Sequence, residues 1–301
     1  MTLEAVRTPD ERFSGLPDYD YEPNYVDDLP GYEGLRVHYL DEGPKSADRV
    51  FLCLHGQPTW SFLYRKMLPV FVESGARVIC PDWLGFGRSD KPTADEVYTF
   101  HFHRNMMVEL IKRLDLSNIT LVCQDWGGIL GLTIPMDMPE RFSRLLVMNT
   151  AIPTGQSPGQ GFESWRAYNR TQPDMDVAGL MKRGTPVLND AEAAAYAAPF
   201  PDVTFKAGVR RFPELVMTDP GMEGVETSKR AAKWWQSEWS GPTFMAVGAQ
   251  DPVLGPNQMS ALQAVINGCP DPMIVEDGGH FVQEWGEPIA RAALTQWGDL
   301  S

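Results

Sequence analysis

Asp125 stands between two apolar stretches, in the order Cys123-Gln-Asp-Trp-Gly-Gly128. The stretch before it, residues 119–123, is typical of a buried strand, and the stretch after it, residues 129–134, is typical of a helix. A sharp turn between strand and helix, supported by small residues such as Gly127, is where many hydrolases present a nucleophile. A carboxylate at this apex can attack an sp3 carbon and form an ester that water then opens. An aspartate that only caps the following helix is the plainer alternative.

Two downstream residues could supply the base and the acid that such a nucleophile needs. His280 follows the last predicted strand, and Asp251 follows another predicted strand and precedes a proline. The order nucleophile, acid, histidine is that of hydrolases with a strand–turn–helix nucleophile. Each residue alone also fits a plainer role, since His280 could be a loop histidine and Asp251 a turn aspartate. Asn149 ends the preceding predicted strand, where such an acid can also stand, but an amide holds no charge, which favours Asp251.

Donors for the negative charge that develops during ester hydrolysis are expected at two backbone positions. Gln57 follows a predicted strand in His55-Gly-Gln-Pro58, and a turn there would point backbone N–H groups toward Asp125. We therefore predict an oxyanion hole formed by the backbone N–H groups of Gln57 and Trp126. The indole of Trp126 adds another donor beside the reacting carbon. His55 itself is interpreted as a structural turn residue.

Apolar, β-branched stretches alternate with helical patterns along most of the chain. Predicted strands cover residues 35–39, 50–54, 77–80, 119–123, 145–148, 243–247 and 273–275. Predicted helices cover residues 60–73, 102–114, 128–138, 258–266 and 289–297. This alternation predicts an α/β fold with a mostly parallel central sheet flanked by helices.

The segment 151–235 interrupts the alternation, because it has no clear strand, many glycines and prolines, and only short helical patches. We predict a core domain formed by residues 1–150 and 236–301, and an inserted helical cap domain formed by residues 151–235. Such a cap would lie over the carboxyl ends of the strands, where open α/β sheets bind ligands. A separate interaction domain is the alternative.

Composition excludes several classes of function. The chain has 301 residues, 43% of them hydrophobic, and a formal net charge of −14. It lacks a basic block and an apolar run of membrane-spanning length, so neither nucleic acid nor a membrane is expected as a partner. The four cysteines have neither metal-ligand nor disulfide spacing, and the first residues do not form a signal peptide. We therefore expect a reduced, cytoplasmic protein that needs no metal.

Two further motifs are interpreted as structural. The stretch from Asp82 to Ser89 contains two glycines and is typical of a turn after a strand, and a phosphate-binding loop is disfavoured because the Gly-Lys-Ser/Thr sequence is missing. His101 and His103 are too close together for a metal-binding pair one helical turn apart. A solvated or capping role is preferred for both histidines.

Four motifs together resemble those of the haloalkane dehalogenases: His55-Gly-Gln-Pro-Thr-Trp60, Cys123-Gln-Asp-Trp-Gly-Gly128, Gly248-Ala-Gln-Asp251 and Gly278-Gly-His-Phe-Val-Gln-Glu284. The resemblance covers nearly the whole chain, including the amino-terminal arm and the segment 151–235. It implies an α/β-hydrolase fold and hydrolysis of halogenated alkanes to alcohol, halide and a proton, without a cofactor. The expected partners are a small halogenated aliphatic substrate, water and a halide ion, and we expect a monomer.

The resemblance also implies a role for individual residues, by analogy with the subfamily that binds halide between two tryptophans. Asp125 would be the nucleophile, His280 the general base and Asp251 the orienting acid. Trp126 would supply one halide-binding indole. Trp165 matches the second, which this subfamily takes from its cap.

The lining of the substrate pocket and the side chain of Gln57 are less well specified. Some relatives carry an asparagine after His-Gly and use its amide as a halide donor. Gln57 is one methylene longer, which leaves the role of its side chain open. Apolar pocket positions are matched by Phe162, Phe212, Pro213 and Leu254.

Three other functions remain as alternatives. An epoxide hydrolase also uses an aspartyl nucleophile, but its alkoxide leaving group needs protonation, for which Tyr168 and Tyr196 are available. A fluoroacetate dehalogenase would need arginines beside the nucleophile, and residues 126–129 contain none. A catalytically silent receptor on the same fold would not need an intact triad.

Overall fold

The computed structural model describes residues 3–300, and its centre is an eight-stranded sheet. The described residues form ten strands, eight of them in this sheet: β1 (Ala5–Val6), β2 (Asn24–Val26), β3 (Val37–Glu42), β4 (Val50–Leu54), β5 (Arg77–Pro81), β6 (Lys91–Pro92), β7 (Ile119–Cys123), β8 (Phe142–Met148), β9 (Thr243–Gly248) and β10 (Met273–Val275). The spatial order in the sheet is β10-β9-β8-β7-β4-β5-β3-β2, and β1 pairs with β6 in a separate ribbon.

Most neighbouring strands of the sheet are parallel. The pairs from β10 across to β5 all run parallel, whereas β3 is antiparallel to both β5 and β2. Every residue of β4, β7 and β9 is buried. Strands that read as continuous apolar runs are covered on both faces, as parallel sheets require. The predicted α/β fold with a mostly parallel sheet is thus confirmed.

Ten α-helices accompany the strands within residues 3–300: α1 (Leu68–Glu73), α2 (Phe100–Arg113), α3 (Trp126–Gly131), α4 (Gln160–Arg170), α5 (Val177–Gly184), α6 (Asp190–Ala197), α7 (Ala207–Leu215), α8 (Val225–Ser237), α9 (Pro256–Val265) and α10 (Gly286–Gln296). Two predicted helices were too long. The helix predicted for residues 60–73 is a 3-10 turn followed by α1, with Pro69 in the first turn of α1. The helix predicted for residues 128–138 ends before Pro135, which lacks the N–H needed to continue it.

The stretch between β8 and β9 contains α4 to α8 and no strand, and all of its residues are described. Helix α8 extends two residues beyond the predicted boundary at 235. Its Trp235 is fully buried and donates its indole N–H to the Leu132 carbonyl at 2.6 Å. No helix of the described residues combines the length and the apolar character needed to cross a membrane.

A buried ion cluster joins this helical stretch to the segments that follow β4 and β10. The Arg65 guanidinium donates to both carboxylate oxygens of Glu284, at 2.7 and 2.8 Å, and to Glu192 on α6 at 2.9 Å. The Tyr196 hydroxyl, also on α6, donates to Glu284. The two carboxylates, one of them bound in a bidentate arrangement, pair with two nitrogens of the fully buried guanidinium, whose Nε has no partner among the described residues. The cluster therefore fixes α6 against the loop that carries His280.

Candidate active site

Asp125 occupies a strained turn between β7 and α3. Its φ of 50° and ψ of −126° lie in a region that residues with a Cβ rarely adopt. The turn is held from the end of β8, where the Asn149 carbonyl accepts the Asp125 N–H at 3.0 Å and the Thr150 hydroxyl donates to the Asp125 carbonyl at 2.7 Å. The Asp125 side chain makes no capping hydrogen bond to α3. This geometry favours a presented carboxylate over a helix cap.

Three glycines allow the turn to approach its neighbours. A Cβ on Gly127 would lie 1.9 Å from the Leu54 carbonyl oxygen, and one on Gly128 would lie 2.1 Å from the Thr150 hydroxyl. A Cβ on Gly56 would lie 2.2 Å from Oδ1 of Asp125. A side chain at Gly127 would push α3 away from the end of β4. Glycine is thus required at these three positions by close packing.

His280 and Asp251 meet at the carboxyl ends of β9 and β10. Nδ1 of His280 lies 2.8 Å from Oδ2 of Asp251. The other carboxylate oxygen, Oδ1, accepts the N–H groups of Val253 and Leu254 at 2.8 and 3.0 Å. Burial opposes ionisation of Asp251, but the attraction of His280 and these hydrogen bonds outweigh it and lower its pKa to about 2. The acid is therefore charged at neutral pH.

Asn149 supports this acid, because its Nδ2 donates to Oδ2 of Asp251 at 2.9 Å. Its Oδ1 accepts the Gly248 N–H at 2.8 Å, which fixes the orientation of the amide. The two positions that the sequence offered for an acid are therefore in contact, with the amide donating to the carboxylate.

Nε2 of His280 lies 3.5 Å from Oδ2 of Asp125, so the histidine sits between two carboxylates. Burial lowers the pKa of His280, but Asp251 and Asp125 together outweigh it and raise the pKa to about 10. With both carboxylates ionised, the imidazole carries a proton on each ring nitrogen and is positively charged. Loss of the charge on Asp125 would remove one of the two influences that keep it protonated.

Gln124 is a contact of His280 that the sequence reasoning missed. It is fully buried, and its Nε2 donates to the His280 carbonyl at 3.0 Å and lies 3.1 Å from Nε2 of the imidazole. Its Oε1 accepts from Gln283 at 3.4 Å. The signal available in the sequence was its place directly before Asp125.

The two predicted oxyanion donors lie beside Asp125. The Gln57 backbone N–H donates to Oδ1 of Asp125 at 2.8 Å. Trp126 is the first residue of α3, so its N–H has no partner one turn earlier in the helix. The two carboxylate oxygens are thus distinguished, with Oδ1 on the side of the backbone donors and Oδ2 nearer to His280. The Gln57 side chain turns elsewhere, and its Nε2 donates to the Val209 carbonyl at 2.9 Å.

A largely apolar cavity of about 400 Å³ opens beside Asp125, Trp126 and His280. Three of the four predicted pocket residues, Phe162, Pro213 and Leu254, line it. Phe212 is not among the residues that line it. Its ring is fully buried and packs edge-on against Trp126, with the ring centroids 4.8 Å apart. Other apolar wall residues, which the sequence did not identify, are Pro58, Ile129, Ala151, Pro153, Pro158, Leu180, Val216, Pro252, Val253 and Phe281.

Trp126 and Trp165 both line the cavity, Trp126 from α3 and Trp165 from α4. Within the described residues, neither indole N–H donates to a protein atom. The buried Trp60, Trp83, Trp235 and Trp239 do have such partners, whereas the buried indole nitrogen of Trp297 has none among the described residues. Because buried indole N–H groups usually find an acceptor, two unused donors at one apolar cavity are suited to an anion.

The tyrosines considered for an epoxide hydrolase do not line the cavity. Tyr196 is fully buried and donates to Glu284, and Tyr168 is an exposed residue whose hydroxyl accepts from Arg183 at 3.3 Å. Arg183, at the end of α5, does line the cavity and was missed. It is a surface arginine that the sequence alone does not distinguish from the others.

Three further histidines, at positions 55, 101 and 103, have structural surroundings. His55 is buried, which lowers its pKa, and its Nε2 accepts the Trp83 N–H at 3.1 Å. His103 contacts two backbone carbonyls, and its burial lowers its pKa to about 4. His101 contacts Glu223 at the start of α2. Among residues 3–300, no group of three or more histidine, cysteine, aspartate or glutamate side chains could hold a metal ion.

Comparison with known proteins identifies the family. Residues 49–287 match the family model of the alpha/beta hydrolase fold. The haloalkane dehalogenase of Psychrobacter cryohalolentis is 44% identical over 297 residues, which cover 96% of each chain. That of Mycolicibacterium paratuberculosis is 37% identical over 300 residues, which cover 98% of each chain.

A solved structure gives the same result. The haloalkane dehalogenase of Paraglaciecola agarilytica, whose structure is described as tetrameric, is 54% identical, with a TM-score of 0.96 over 97% of this chain and 98% of that chain. The dehalogenase of Bradyrhizobium elkani, at 23% identity and a TM-score of 0.76, shares the fold. The resemblance drawn from the four sequence motifs is confirmed, and the chain belongs to the haloalkane dehalogenase family, on the α/β-hydrolase fold.

Proposed function

We propose that this chain hydrolyses halogenated alkanes in two steps, through an alkyl ester of Asp125, to give an alcohol, a halide ion and a proton. The observation that carries the proposal is the difference between the two oxygens of Asp125. Oδ1 accepts the Gln57 N–H at 2.8 Å, whereas Oδ2 lies 3.5 Å from Nε2 of His280, and the carboxylate borders an apolar cavity. Membership of the dehalogenase family supports this reading of the site.

In the first step, Oδ2 of Asp125 attacks the carbon that bears the halogen and displaces the halide in line. The carbon–halogen bond breaks with its electron pair leaving on the halide, so no proton is needed. The indole N–H groups of Trp126 and Trp165 stabilise the departing anion. In an apolar cavity such donors are stronger than in water, because the local dielectric constant is low.

In the second step, a water molecule attacks Cγ of the ester and gives one proton to Nε2 of His280. Negative charge develops on Oδ1, where the backbone N–H groups of Gln57 and Trp126 stabilise it. The bond between Cγ and the alkyl-bearing oxygen then breaks, and the alkoxide takes the proton from Nε2 of His280 to leave as the alcohol. The carboxyl group of Asp125 loses the second proton of the attacking water, so the net release is one proton. Asp251 orients the imidazole and stabilises its charged form.

The order of the two steps also prepares the base. In the resting site, Asp125 and Asp251 both favour protonation of His280. Ester formation neutralises Asp125, so one of the two charges that hold the proton is gone when a neutral imidazole is needed. Alkylation therefore makes His280 easier to deprotonate.

We further infer three properties of the whole protein. Residues 151–235 act as a cap, which is supported by the presence of Phe162, Trp165 and Pro213 in the cavity wall. A cytoplasmic location is supported by four unpaired cysteines. Assembly beyond a single chain is supported by the tetramer described for the 54% identical relative, which speaks against our expectation of a monomer. A molar mass from light scattering that equals a single chain would contradict this assembly.

The two-step reaction is tested by separating its steps with His280→Gln. Because halide leaves without a proton, this variant should release about one equivalent of bromide from a bromoalkane and then stop. Mass spectrometry should find the alkyl group on the peptide that contains Asp125. Asp125→Ala is the matched control and should release no halide and carry no adduct.

Two outcomes would refute the proposal. One is steady turnover by the Asp125→Ala variant. The other is a folded His280→Gln variant that neither releases bromide nor becomes alkylated. Turnover of an epoxide with no halide release from the wild-type protein would favour the epoxide hydrolase alternative.

A further inference from the structure

Helix α7 contains a proline that leaves one backbone carbonyl without its helical partner. Pro213 lies inside this helix of nine residues, Ala207–Leu215. In a regular helix the N–H of residue 213 would donate to the carbonyl of Val209, but proline has no N–H. Val209 is fully buried. A buried carbonyl without a donor is costly, so another group must satisfy it.

Two side-chain amides donate to the Val209 carbonyl instead. Nε2 of Gln57 lies 2.9 Å from it, and Nδ2 of Asn169 lies 3.2 Å from it. Both side chains are buried, with exposed fractions of 5% for Gln57 and 2% for Asn169. A carbonyl oxygen has two lone pairs, so the two amides fill its accepting capacity.

The two amides come from different parts of the site. Gln57 is the residue whose backbone N–H donates to Oδ1 of Asp125. Asn169 is on α4, four residues and about one turn beyond Trp165, so both residues lie on one side of that helix. A single carbonyl on α7 therefore joins the turn with the oxyanion donor to the helix with the second cavity-facing indole.

We propose that the Val209 carbonyl aligns the oxyanion turn with α4, and that the side chains of Gln57 and Asn169 are positioning residues for the reaction. The inference rests on the proposed function, because it assigns the two elements to the two steps of that reaction. Gln57 holds the N–H that serves ester hydrolysis, and Asn169 holds the helix that serves halide binding. Small displacements matter at such sites, because donors must be held within about 0.5 Å of their productive geometry.

The test removes each amide while keeping the side-chain volume, with Gln57→Met and Asn169→Leu. Asn169→Leu should weaken bromide binding, measured by tryptophan fluorescence, by about five- to tenfold. Gln57→Met should slow hydrolysis of the ester by a similar factor and affect the halide burst less. Gln296→Met is a matched control, since its amide makes another long-range bond, to the Thr243 carbonyl at 3.0 Å, and should leave both quantities unchanged.

Sharing of one acceptor predicts a specific coupling. The double variant should lose less than the product of the two single losses, since either substitution alone already breaks the link between the oxyanion turn and α4. In a Pro213→Ala background the helix N–H can compete with Gln57 for the Val209 carbonyl, so Gln57→Met should slow ester hydrolysis by a smaller factor. A role of Gln57 that does not depend on the Val209 carbonyl would give the same factor in both backgrounds.

The inference would be overturned by folded single variants that bind bromide and hydrolyse the ester as the wild type does. The inference would also be overturned if Gln57→Met slowed ester hydrolysis by the same factor in the wild-type and the Pro213→Ala backgrounds. This outcome counts even where the single variants fold poorly. Such results would leave the proposed function intact as long as the wild type releases halide and His280→Gln traps the ester. Failure of those two reactions would instead refute the proposed function.

Discussion

The roles proposed for single residues follow from which of their polar atoms have protein partners. Oδ1 of Asp125 has a backbone donor and Oδ2 lies beside His280, which separates the oxygen that attacks from the oxygen that later carries charge. Trp126 and Trp165 border the same cavity with unused donors among the described residues. Trp165 differs from Trp126 in exposure, since it is only partly buried and lies on the inserted helix α4.

We predict that Trp165→Phe weakens halide binding while an aromatic ring still fills this part of the cavity wall. The substitution keeps an aromatic ring and loses one hydrogen bond to an anion, worth about 1.5–3 kcal/mol. Cleavage of the carbon–halogen bond should slow by about ten- to a hundredfold. Fluorescence titration with bromide and the rate of the halide burst measure the two effects. Unchanged bromide affinity would mean that Trp165 is not a halide donor.

The elements matter through how closely they approach one another. The β7–α3 turn presents Asp125 because α3 begins against the end of β4, and Gly127 is the point of contact. The atom nearest to a Cβ at that position is the carbonyl oxygen of Leu54, which belongs to a central strand. A backbone atom of a paired strand cannot rotate away as a flexible side chain can.

We therefore predict that Gly127→Ala both destabilises the fold and displaces the carboxylate of Asp125. The added methyl group overpacks the contact, at a cost of about 1–3 kcal/mol in the free energy of unfolding. Chemical denaturation and the halide burst check the two parts. Gly184→Ala is the control for stability alone, because its Cβ would have no neighbour closer than 3.9 Å but would lie at the cavity wall. Equal stability of the two variants would contradict the close contact.

For the whole molecule, the charges of the site also contribute to stability. Asp251 has its pKa lowered from 3.8 to about 2, so its contribution is present above pH 3.8 and is lost as the pH falls through 2. His280 has its pKa raised from 6.5 to about 10, so its contribution is present below pH 6.5 and is lost as the pH rises through 10. The pair therefore stabilises the fold most between pH 3.8 and pH 6.5.

The expected consequence is a pH-dependent difference between the wild type and His280→Gln. The advantage of the wild type in the free energy of unfolding should be largest near pH 6 and should decline between pH 6.5 and 10. Urea denaturation at a series of pH values measures it. A difference that stays constant over this range would show that the histidine has the same pKa in the folded and unfolded protein.

Several features were predictable from the sequence because they depend on neighbouring residues. Continuous apolar runs gave the positions of β4, β7 and β10 to the residue, since strand formation follows the local pattern of hydrophobic side chains. The turn around Asp125 was recognisable because its glycines stand beside it in the chain. The family motifs are also short and local, and they pointed to His280 and Asp251 by their order after predicted strands.

Other features were decided only by the tertiary structure. Gln57 and Val209 are 152 positions apart, and Gln124 and His280 are 156 apart, so no local pattern indicates either hydrogen bond. Phe212 and Pro213 are adjacent, yet only Pro213 lines the cavity, while Phe212 packs against Trp126. Which atom a side chain reaches depends on the packing of distant elements, because buried polar and aromatic groups find partners only after the strands and helices have come together.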